Sequence, residues 1–525
     1  MSAEPADVLH APGLVLRVDP SGTVDATSDP TSVGDGATTA PATPWLVGAG
    51  GLAISTGEGL VALGAPRVAV DVDEVEVERS GGGLRTVVRH ALEQAWTVRV
   101  VLVNETDAVL ALEQVRLGWR AGPGTVVTAL AGGARAAYAV QPAHGDGPVL
   151  VGRLRSGLQH GVDEDGLLLG PLVLAPHHRW AVQWRWEVVP DARRAATGRD
   201  LPRSTWLDLG QSVVLPSGPD EAVVAPGLAV ELEDDRVEVA ADEPGSFVLE
   251  LRAARGTTAY ALTWAPDLDD LVDAHAEVLL AGPTSPAGTP RLDGADAGLV
   301  VQDTLARRTV GALDELADAL ELVAGDLVEE LDDAAGQGPA DPVTLAFLAR
   351  ETDRSVGTTL LDVATRRLLE STAPVPGLGL AGVALALAHV RSGRAATAVV
   401  AHLTALLAAT GPHDDAGLEL ALLLRPREAV ADAPTLAGLR RLGATLGAGL
   451  PGRVVPEVGL ERVAYASALL GLVDEPTGQR LQQGWGVTAS ELARRTAAQA
   501  RARSATGDPG RAGRRALAWL VLGRR

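Results

Sequence analysis

The chain has 525 residues, which is enough for two or three domains that each bury their own core. It contains no Cys and no Lys, so disulfides, thiolate nucleophiles, Cys-ligated metals, lysine Schiff bases and the lysine-dependent phosphate loop are excluded. Its net charge of −22 argues against nucleic acid as a partner, because phosphate binding requires clustered positive charge.

Three features bear on where the protein resides. The absence of Cys suits a reducing compartment, and the opening residues MSAEPADVLHAPG contain no basic region followed by an apolar run. The most apolar segments, 378–390 and 395–409, are shorter than the roughly 18 residues that a spanning helix needs. We therefore expect a cytoplasmic protein without a signal peptide and without membrane association.

The first predicted elements form a β-hairpin. Strands Leu14–Val18 and Thr23–Ala26 flank Asp19-Pro-Ser-Gly22, in which Pro and Gly suit a turn. The segment Thr27–Thr43 is rich in Ser, Thr, Gly and Pro, and we interpret it as a mobile loop. Residues 1–44 are thus predicted to be a hairpin and a loop that join the following domain.

Residues 45–264 are predicted to form a large antiparallel β-sandwich. The stretch Trp180–Val188, WAVQWRWEV, places its Trp and Val residues on one side at a period of two and its polar residues on the other, which indicates a half-buried strand. Eight of the ten Trp lie in this region, together with about a dozen or more short strand patterns separated by turns. We expect the Trp strand to be the aromatic centre of the sheet core.

A glycine-rich segment near the start of this region matches a nucleotide-binding pattern. Gly48–Ala53 reads GxGxxA, and Asp71 follows about 20 residues later, where a ribose-binding acid would lie. The residues after it are too rich in Gly to form the helix that would hold a pyrophosphate. We therefore favour a glycine-bearing turn between strands.

The pattern changes to helical after Trp264. Pro266–Leu280 predicts a helix, and GPTSPAGTP follows it, so residues 265–296 are assigned as a linker helix and loop. Residues 297–525 predict roughly ten to twelve helices joined by short loops, which must pack as antiparallel hairpins. The predicted fold is therefore a β-sandwich followed by an all-α domain. A closed (α/α) toroid and an open stack both fit the pattern.

Paired carboxylates are the chemistry that the remaining residues suggest. The candidate acids near loops of the helical domain are Asp414, Asp415, Glu419, Glu457 and Glu461, with Asp414, Glu419 and Glu457 as the proposed catalytic set. Trp485 in the sequence GWG is predicted to lie in a loop as a sugar-stacking platform. The alternative for each acid is helix capping, because carboxylates complement the positive end of a helix dipole. His389, His402 and His413 lie in or beside consecutive helices, but lone histidines there usually serve packing, so neither a metal nor a cofactor is predicted.

The layout resembles that of glucoamylase-like and glycogen-debranching-type glycoside hydrolases. Trp45-Leu46 followed by Gly50-Gly-Leu-Ala-Ile-Ser-Thr-Gly57 looks like the early segment of the debranching family. The resemblance implies an N-terminal super-sandwich and an (α/α) six-hairpin barrel with two catalytic acids. The chain departs from these families in its helical region, which spans only about 230 residues and holds four aromatic residues, Phe347, Tyr465, Trp485 and Trp519.

Two hypotheses of function follow. In the first, the chain is a non-catalytic or degenerate relative of these enzymes and binds a glycan or a protein partner. In the second, it is a glycoside hydrolase that acts on an α-glucan or a related oligosaccharide through an acid and a base. Acids that face each other across an open funnel would favour the second hypothesis, and an apolar plug would favour the first. The sequence leaves the oligomeric state open.

Overall fold

A computed structural model of the chain describes residues 7–11, 13–21, 23–28, 44–196, 201–202, 204–218, 221–233, 235–254, 256–284, 289–307, 313–334, 339–352, 359–426, 429–506 and 510–524. Antiparallel sheets come first in this part of the chain and a helical region follows, which confirms the predicted fold class.

The strands of the first half are short and closely spaced, as the alternating sequence predicts. They are β1 (Asp7–Ala11), β2 (Leu14–Val18), β3 (Val24–Ser28), β4 (Pro44–Thr56), β5 (Gly59–Leu60), β6 (Arg67–Val70), β7 (Glu74–Gly81), β8 (Leu84–Leu92), β9 (Trp96–Asn104), β10 (Leu110–Leu112), β11 (Gln114–Ala121), β12 (Thr125–Gly133), β13 (Ala137–Pro142), β14 (Val149–Ser156), β15 (Gly161–Asp163), β16 (Gly166–Leu168), β17 (Leu172–Leu174) and β18 (Arg179–Val189).

A five-residue helix, α1 (Ala192–Ala196), separates these strands from a second group. The second group is β19 (Trp206–Asp208), β20 (Ser212–Pro216), β21 (Ala222–Val224), β22 (Ala229–Glu233), β23 (Arg236–Ala240), β24 (Gly245–Ala253) and β25 (Gly256–Ala265).

The helical region begins at α2 and contains one further strand. Its elements are α2 (Leu268–Leu280), α3 (Ala295–Arg307), α4 (Leu313–Asp333), α5 (Pro342–Glu351), α6 (Thr359–Leu369), α7 (Leu378–Arg391), α8 (Thr397–Thr410), α9 (Asp415–Leu424), α10 (Ala433–Thr445), β26 (Arg453–Val455), α11 (Leu460–Leu470), α12 (Glu475–Trp485), α13 (Ala489–Thr506) and α14 (Arg511–Leu522).

The Trp-bearing strand β18 lies inside the larger sheet, between β14 and β9. Trp184 and Trp186 are buried on one face, and Trp186 stacks on Trp96 of β9 with ring centroids 5.8 Å apart. Tyr138 packs against Trp184 at 5.5 Å. Because these rings meet the apolar face of the smaller sheet, which contributes Trp45 and Trp119, they form the centre of a sandwich core, as predicted.

The sheet region holds a second core that the sequence analysis did not separate from the first. The three-stranded sheet β20-β23-β22 packs on β24 and β25, and its buried Val and Leu residues contact Tyr260 and Trp264. β25 pairs with β12 of the first core. One extended sheet therefore serves both cores.

The predicted N-terminal hairpin is confirmed by β2 and β3, which pair from Leu14 with Ser28 to Val18 with Val24. Beyond Ser28, the predicted mobile loop lies outside the described residues. The expectation of a turn at Gly48–Ala53 is wrong, because these residues lie inside β4, which pairs with both β3 and β11. Gly48 and Gly50 have φ values of 66° and 98°, so the glycines permit an irregular strand.

The helices pack in sequence, and the two ends of the helical region meet. α5 packs on α3 and α7, α9 on α7 and α8, and α11 on α13 and α14, while α14 returns to pack on α3. Two features were not predicted. Helix α12 includes Trp485, and strand β26 precedes α11, which begins at Leu460.

The sheet and helical regions are in direct contact. β26 pairs with β12, so the loop between α10 and α11 extends the larger sheet. Arg494 of α13 donates to Asp208 at 2.7 Å, and the Arg453 guanidinium lies 4.6 Å from the ring centroid of Trp206. No helix among the described residues is both long and apolar enough to cross a membrane.

Substitution of Gly50 tests how closely the sandwich core is packed. A Cβ at this position would lie 2.6 Å from Nε2 of the buried His90, and the positive φ adds backbone strain. We expect Gly50→Ala to lower the free energy of unfolding by about 2–4 kcal/mol, measured by urea denaturation.

Gly48→Ala is the matched control, because Gly48 also has a positive φ but no atom lies within 4 Å of its added Cβ. Its expected loss is about 1 kcal/mol, from strain alone. Equal losses in the two variants would show that the contact with His90 does not restrict residue 50.

Candidate functional site

Five side chains meet where several helices of the helical region begin, and we call them the loop-end cluster: Asp341, Glu461, Tyr465, Arg515 and Trp519. Arg515 of α14 donates to Asp341, the residue that caps α5, at 2.7 Å. Its Nε lies 3.2 Å from the Glu461 carboxylate of α11. One guanidinium therefore joins two carboxylates from different helices.

The aromatic residues lie beneath this ion-pair network. Trp519 Nε1 donates to Glu461 at 3.2 Å, and the Arg515 guanidinium lies 5.4 Å from the Trp519 ring centroid. Tyr465 meets Trp519 edge to face at 5.2 Å. Trp519 packs so closely against Gly377, the residue before α7, that a Cβ at Gly377 would overlap the indole. These buried rings fill the space below the charged groups.

Glu419 is the candidate acid that the fold places deepest, with 1% of its surface exposed. Its carboxylate accepts from the backbone N–H of Gly377 at 2.6 Å, from the N–H of Leu380 and from the hydroxyl of Tyr465. The N–H groups at the start of a helix lack partners within that helix, so a carboxylate satisfies them well. Glu419 of α9 thereby fastens the start of α7 to α11.

The surroundings of Glu419 shift its protonation equilibrium. Burial raises the pKa of Glu419 to about 7, and the hydrogen bonds from Tyr465, Leu380 and Gly377 oppose this rise. Burial and the neighbouring Glu419 carboxyl raise the pKa of Tyr465 well above its ordinary value, so Tyr465 remains a hydrogen-bond donor. Inside the core, Tyr465 therefore donates the hydrogen bond and Glu419 accepts it.

The other two acids of the proposed catalytic set have partners of their own. Asp414 accepts from the backbone N–H of Gly417 at 2.7 Å and so caps α9, which is the alternative that the sequence analysis weighed. Glu457 lies 3.7 Å from Arg503 of α13. No hydrogen bond or ion pair between described residues joins Asp414, Glu419 and Glu457 to one another, so these contacts do not assemble an acid–base pair.

Trp485 differs most from its predicted place. The sequence GWG predicts a loop and an exposed ring, but Trp485 is the last residue of α12 and only 3% exposed. Gly443 of α10 lies against the indole, and a Cβ there would come within 2.5 Å of the ring. The prediction of an exposed sugar-stacking platform is therefore wrong.

Glu461 was among the candidate acids that the sequence offers, but Asp341 and Arg515, which pair at the loop end, were not predicted. Asp341-Pro342 was a recognisable helix start, because Asp caps and Pro fits the first turn. A second signal was the set of basic residues at the start of α14, Arg511, Arg514 and Arg515. Positive charge is unfavourable at that end of a helix dipole, so acidic partners are expected nearby. The acids that pair with Arg515 come from the starts of α5 and α11, and no pattern in the sequence predicts this pairing.

Among the described residues, no three His, Asp or Glu side chains lie close enough together to hold a metal ion. Among the three histidines weighed as ligands, His389 lies 2.9 Å from the Thr365 hydroxyl.

The architecture has a counterpart among solved structures. A polysaccharide lyase superposes with a TM-score of 0.67 at 11% identity, covering 95% of this chain and 93% of the lyase chain. A putative kojibiose phosphorylase from the human microbiome gives 0.26 at 8% identity, covering 98% and 86%, and this score is too low to support an argument. No protein-family model and no curated protein matches the chain. The lyase comparison shows a shared fold across nearly the whole chain.

Glu419→Gln tests whether Glu419 serves stability. Near pH 5 the Glu419 carboxyl is protonated, because its pKa is about 7, but both of its oxygens can still accept hydrogen bonds. The NH₂ group of glutamine cannot accept any, so at least one donor would be left without a partner. We expect the variant to be less stable than the parent by about 1–3 kcal/mol near pH 5, measured by urea denaturation.

The difference should shrink as pH rises. The pKa of Glu419 is about 7 in the folded chain against an ordinary 4.5, so the folded state holds the proton more tightly and loses stability as pH rises through this window. The variant lacks this dependence. Glu457→Gln, at a half-exposed site, is the control that should show neither effect. A gap that stayed constant between about pH 5 and 8 would contradict the assignment.

Proposed function

We propose that the chain is a glycan-binding protein built on a carbohydrate-active fold, without the paired-carboxylate chemistry of a glycoside hydrolase. The observation that carries this proposal is the state of Glu419. Its two oxygens accept hydrogen bonds from α7 and Tyr465 in a buried space, so they are committed to holding helices together. A general acid must instead donate its proton to the leaving-group oxygen of a bound substrate.

The remaining polar groups at this end also favour binding over catalysis. Burial alone would raise the pKa of Asp341, but its hydrogen bonds with Arg515 and Thr344 outweigh burial and hold the pKa below the ordinary value. Asp341 is therefore ionised and cannot donate a proton. Its oxygens, together with the half-exposed Glu461 and the Arg515 guanidinium, suit hydrogen bonds with hydroxyl groups.

A hydrolase acting on an α-glucan is the second candidate, and one observation favours it. Asp341 and Glu461 share the Arg515 guanidinium, so two carboxylates from different helices lie close together at the loop end. Hydrolysis would require one of them to gain a proton when substrate displaces Arg515.

Closure of the helices into an (α/α) toroid belongs to the same proposal. The contact between α14 and α3 supports it, because the first and last helices of a ring must be neighbours. A cytoplasmic location, which rests on the Cys-free composition, also stays a proposal.

The function is tested with the full chain and a panel of α-glucans, other neutral polysaccharides and uronic-acid polysaccharides. Affinity electrophoresis measures binding. Release of reducing ends measures hydrolysis, and ultraviolet absorbance detects the double bond that β-elimination would create. We expect at least one neutral glycan to retard the protein and no product to form.

Asp341→Asn and Glu461→Gln separate the two candidates. Product formed by the parent and lost in both variants would establish the hydrolase and end the binding-only proposal. Asp414→Asn is the matched control, since Asp414 caps α9 and should not affect turnover. Absence of both binding and product across the panel would overturn the glycan proposal itself.

The proposed domain limits, a sandwich at 45–264, a linker at 265–296 and a helical domain at 297–525, predict where a protease cuts. We expect limited proteolysis to cleave within Gly282–Ala295 under conditions that spare the sandwich and the helical domain, with the fragments identified by mass spectrometry. No cleavage anywhere in Gly282–Ala295 under these conditions would contradict the limits.

A further inference from the structure

The larger sheet ends in an open edge at β6. This strand pairs with β7 on one side, and all four of its residues are exposed, as is Asp71 after it. Val68 lies opposite Val77 of β7, which is buried in the sandwich core. Val70 lies opposite Val75, which is also buried. The two β6 valines therefore continue the apolar face of the sandwich to its edge, where they are 37% and 42% exposed.

The pairing with β7 decides which backbone groups of β6 face outward. The turn between the two strands is closed by a hydrogen bond of 2.8 Å from the N–H of Asp71 to the carbonyl of Glu74. Hydrogen-bonded and non-hydrogen-bonded pairs alternate along an antiparallel ladder, so the backbone groups of Ala69 face β7. The N–H and C=O groups of Val68 and Val70 therefore point away from the sheet, where another strand could pair with them.

Residues 67–71 read Arg-Val-Ala-Val-Asp, and this segment is complementary to itself when two copies run antiparallel. With Ala69 opposite Ala69 of a second copy, Val68 lies opposite Val70 and Arg67 lies opposite Asp71. The outward backbone groups then meet as hydrogen-bonded pairs, and each arginine faces an aspartate at a non-hydrogen-bonded pair, where side chains lie closest. A shift by one residue would lose the hydrogen bonds, and a shift by two would separate the opposite charges.

The two charged side chains have no ionic partner within the chain. The guanidinium of Arg67 makes no hydrogen bond or ion pair with any residue that the structure describes. Asp71 accepts from the backbone N–H of Val72 at 2.8 Å, and no ion pair with a described residue engages it. The net charge of −22 repels two copies over most of their surface, so a place where opposite charges meet favours contact there.

Strand β22, at the edge of the three-stranded sheet, has the opposite arrangement. Its five residues are also exposed, but its charged residues are Glu231 and Glu233. Two copies that paired along β22 would bring like charges together, which disfavours pairing. The charges on β22 thus protect its edge against a second copy, whereas those at β6 suit one.

We propose that two copies of the chain associate through β6, which pairs with β6 of the second copy in the register centred on Ala69 and so joins the two larger sheets. A two-fold axis at Ala69 generates both ion pairs, as a symmetric dimer requires. Five strand residues span only about 17 Å, and a stable interface buries roughly 800 Å² per partner, so the dimer is reversible and forms as concentration rises. The proposal is independent of the glycan-binding function.

Sedimentation velocity on the full chain, at concentrations up to about 0.5 mM, measures the dimer. We expect the average mass of the parent to rise toward that of two chains. Arg67→Asp and Asp71→Arg each oppose like charges, so each should weaken association at least about tenfold. Arg236→Asp is the matched control for charge, because Arg236 is an exposed arginine on β23, and it should leave association unchanged.

A mixture of the two charge variants tests the register. Arg67→Asp carries acids at both ends of the segment, and Asp71→Arg carries bases at both ends, so the two variants complement each other. We expect their equimolar mixture to dimerise although neither variant does so alone. Circular dichroism and melting temperatures near those of the parent establish beforehand that both variants are folded.

A single introduced thiol reports the same register, because the chain has no Cys. In Ala69→Cys the two thiols would meet at the two-fold axis, at a pair whose Cα atoms are about 4.5 Å apart and within reach of a disulfide. We expect mild oxidation to produce a covalent dimer much faster than in Ala229→Cys, the matched control on the exposed edge strand β22.

Four results would overturn the inference. They are a parent that stays monomeric at the highest concentration, association that survives both charge reversals, a mixture of folded charge variants that stays monomeric, and cross-linking of Ala69→Cys no faster than that of Ala229→Cys.

Discussion

The helical region depends on the carboxyl group of Glu419, which lies where three helices meet. It satisfies N–H groups at the start of α7 and accepts the hydroxyl of Tyr465 from α11, all from its position on α9. A buried carboxyl is costly unless hydrogen bonds surround it, so the site exists only when all three helices are in place. The same burial that raises its pKa removes it from contact with solvent.

The fold of this chain does not by itself indicate which of its residues could do chemistry. The chain shares its fold with a polysaccharide lyase at 11% identity, and likeness at that level carries no residue roles. The acids that the sequence offers for catalysis serve as a helix cap, an ion-pair partner and an internal tether. At the loop end, Arg515 pairs with both Asp341 and Glu461.

Contact between the two regions creates features that neither has alone. β26 extends the large sheet from within the helical region, and Arg494 reaches Asp208 across the boundary. A cavity of about 70 Å³ also lies in this boundary, with walls from β13, α1, α10 and α12.

The sequence by itself determined the elements and their order. The period-two pattern of Trp180–Val188 predicted β18 and its buried face, and the apolar periodicity after Trp264 predicted the helices, because backbone geometry fixes which neighbours share a side. Only the tertiary structure decided where particular side chains lie and which partners they contact. Trp485 is buried because Gly443, some 40 residues earlier, gives it room, and Glu419 is a tether because Gly377 and Tyr465 converge on it from other helices. Such contacts join residues far apart in the chain, and local patterns carry no information about them.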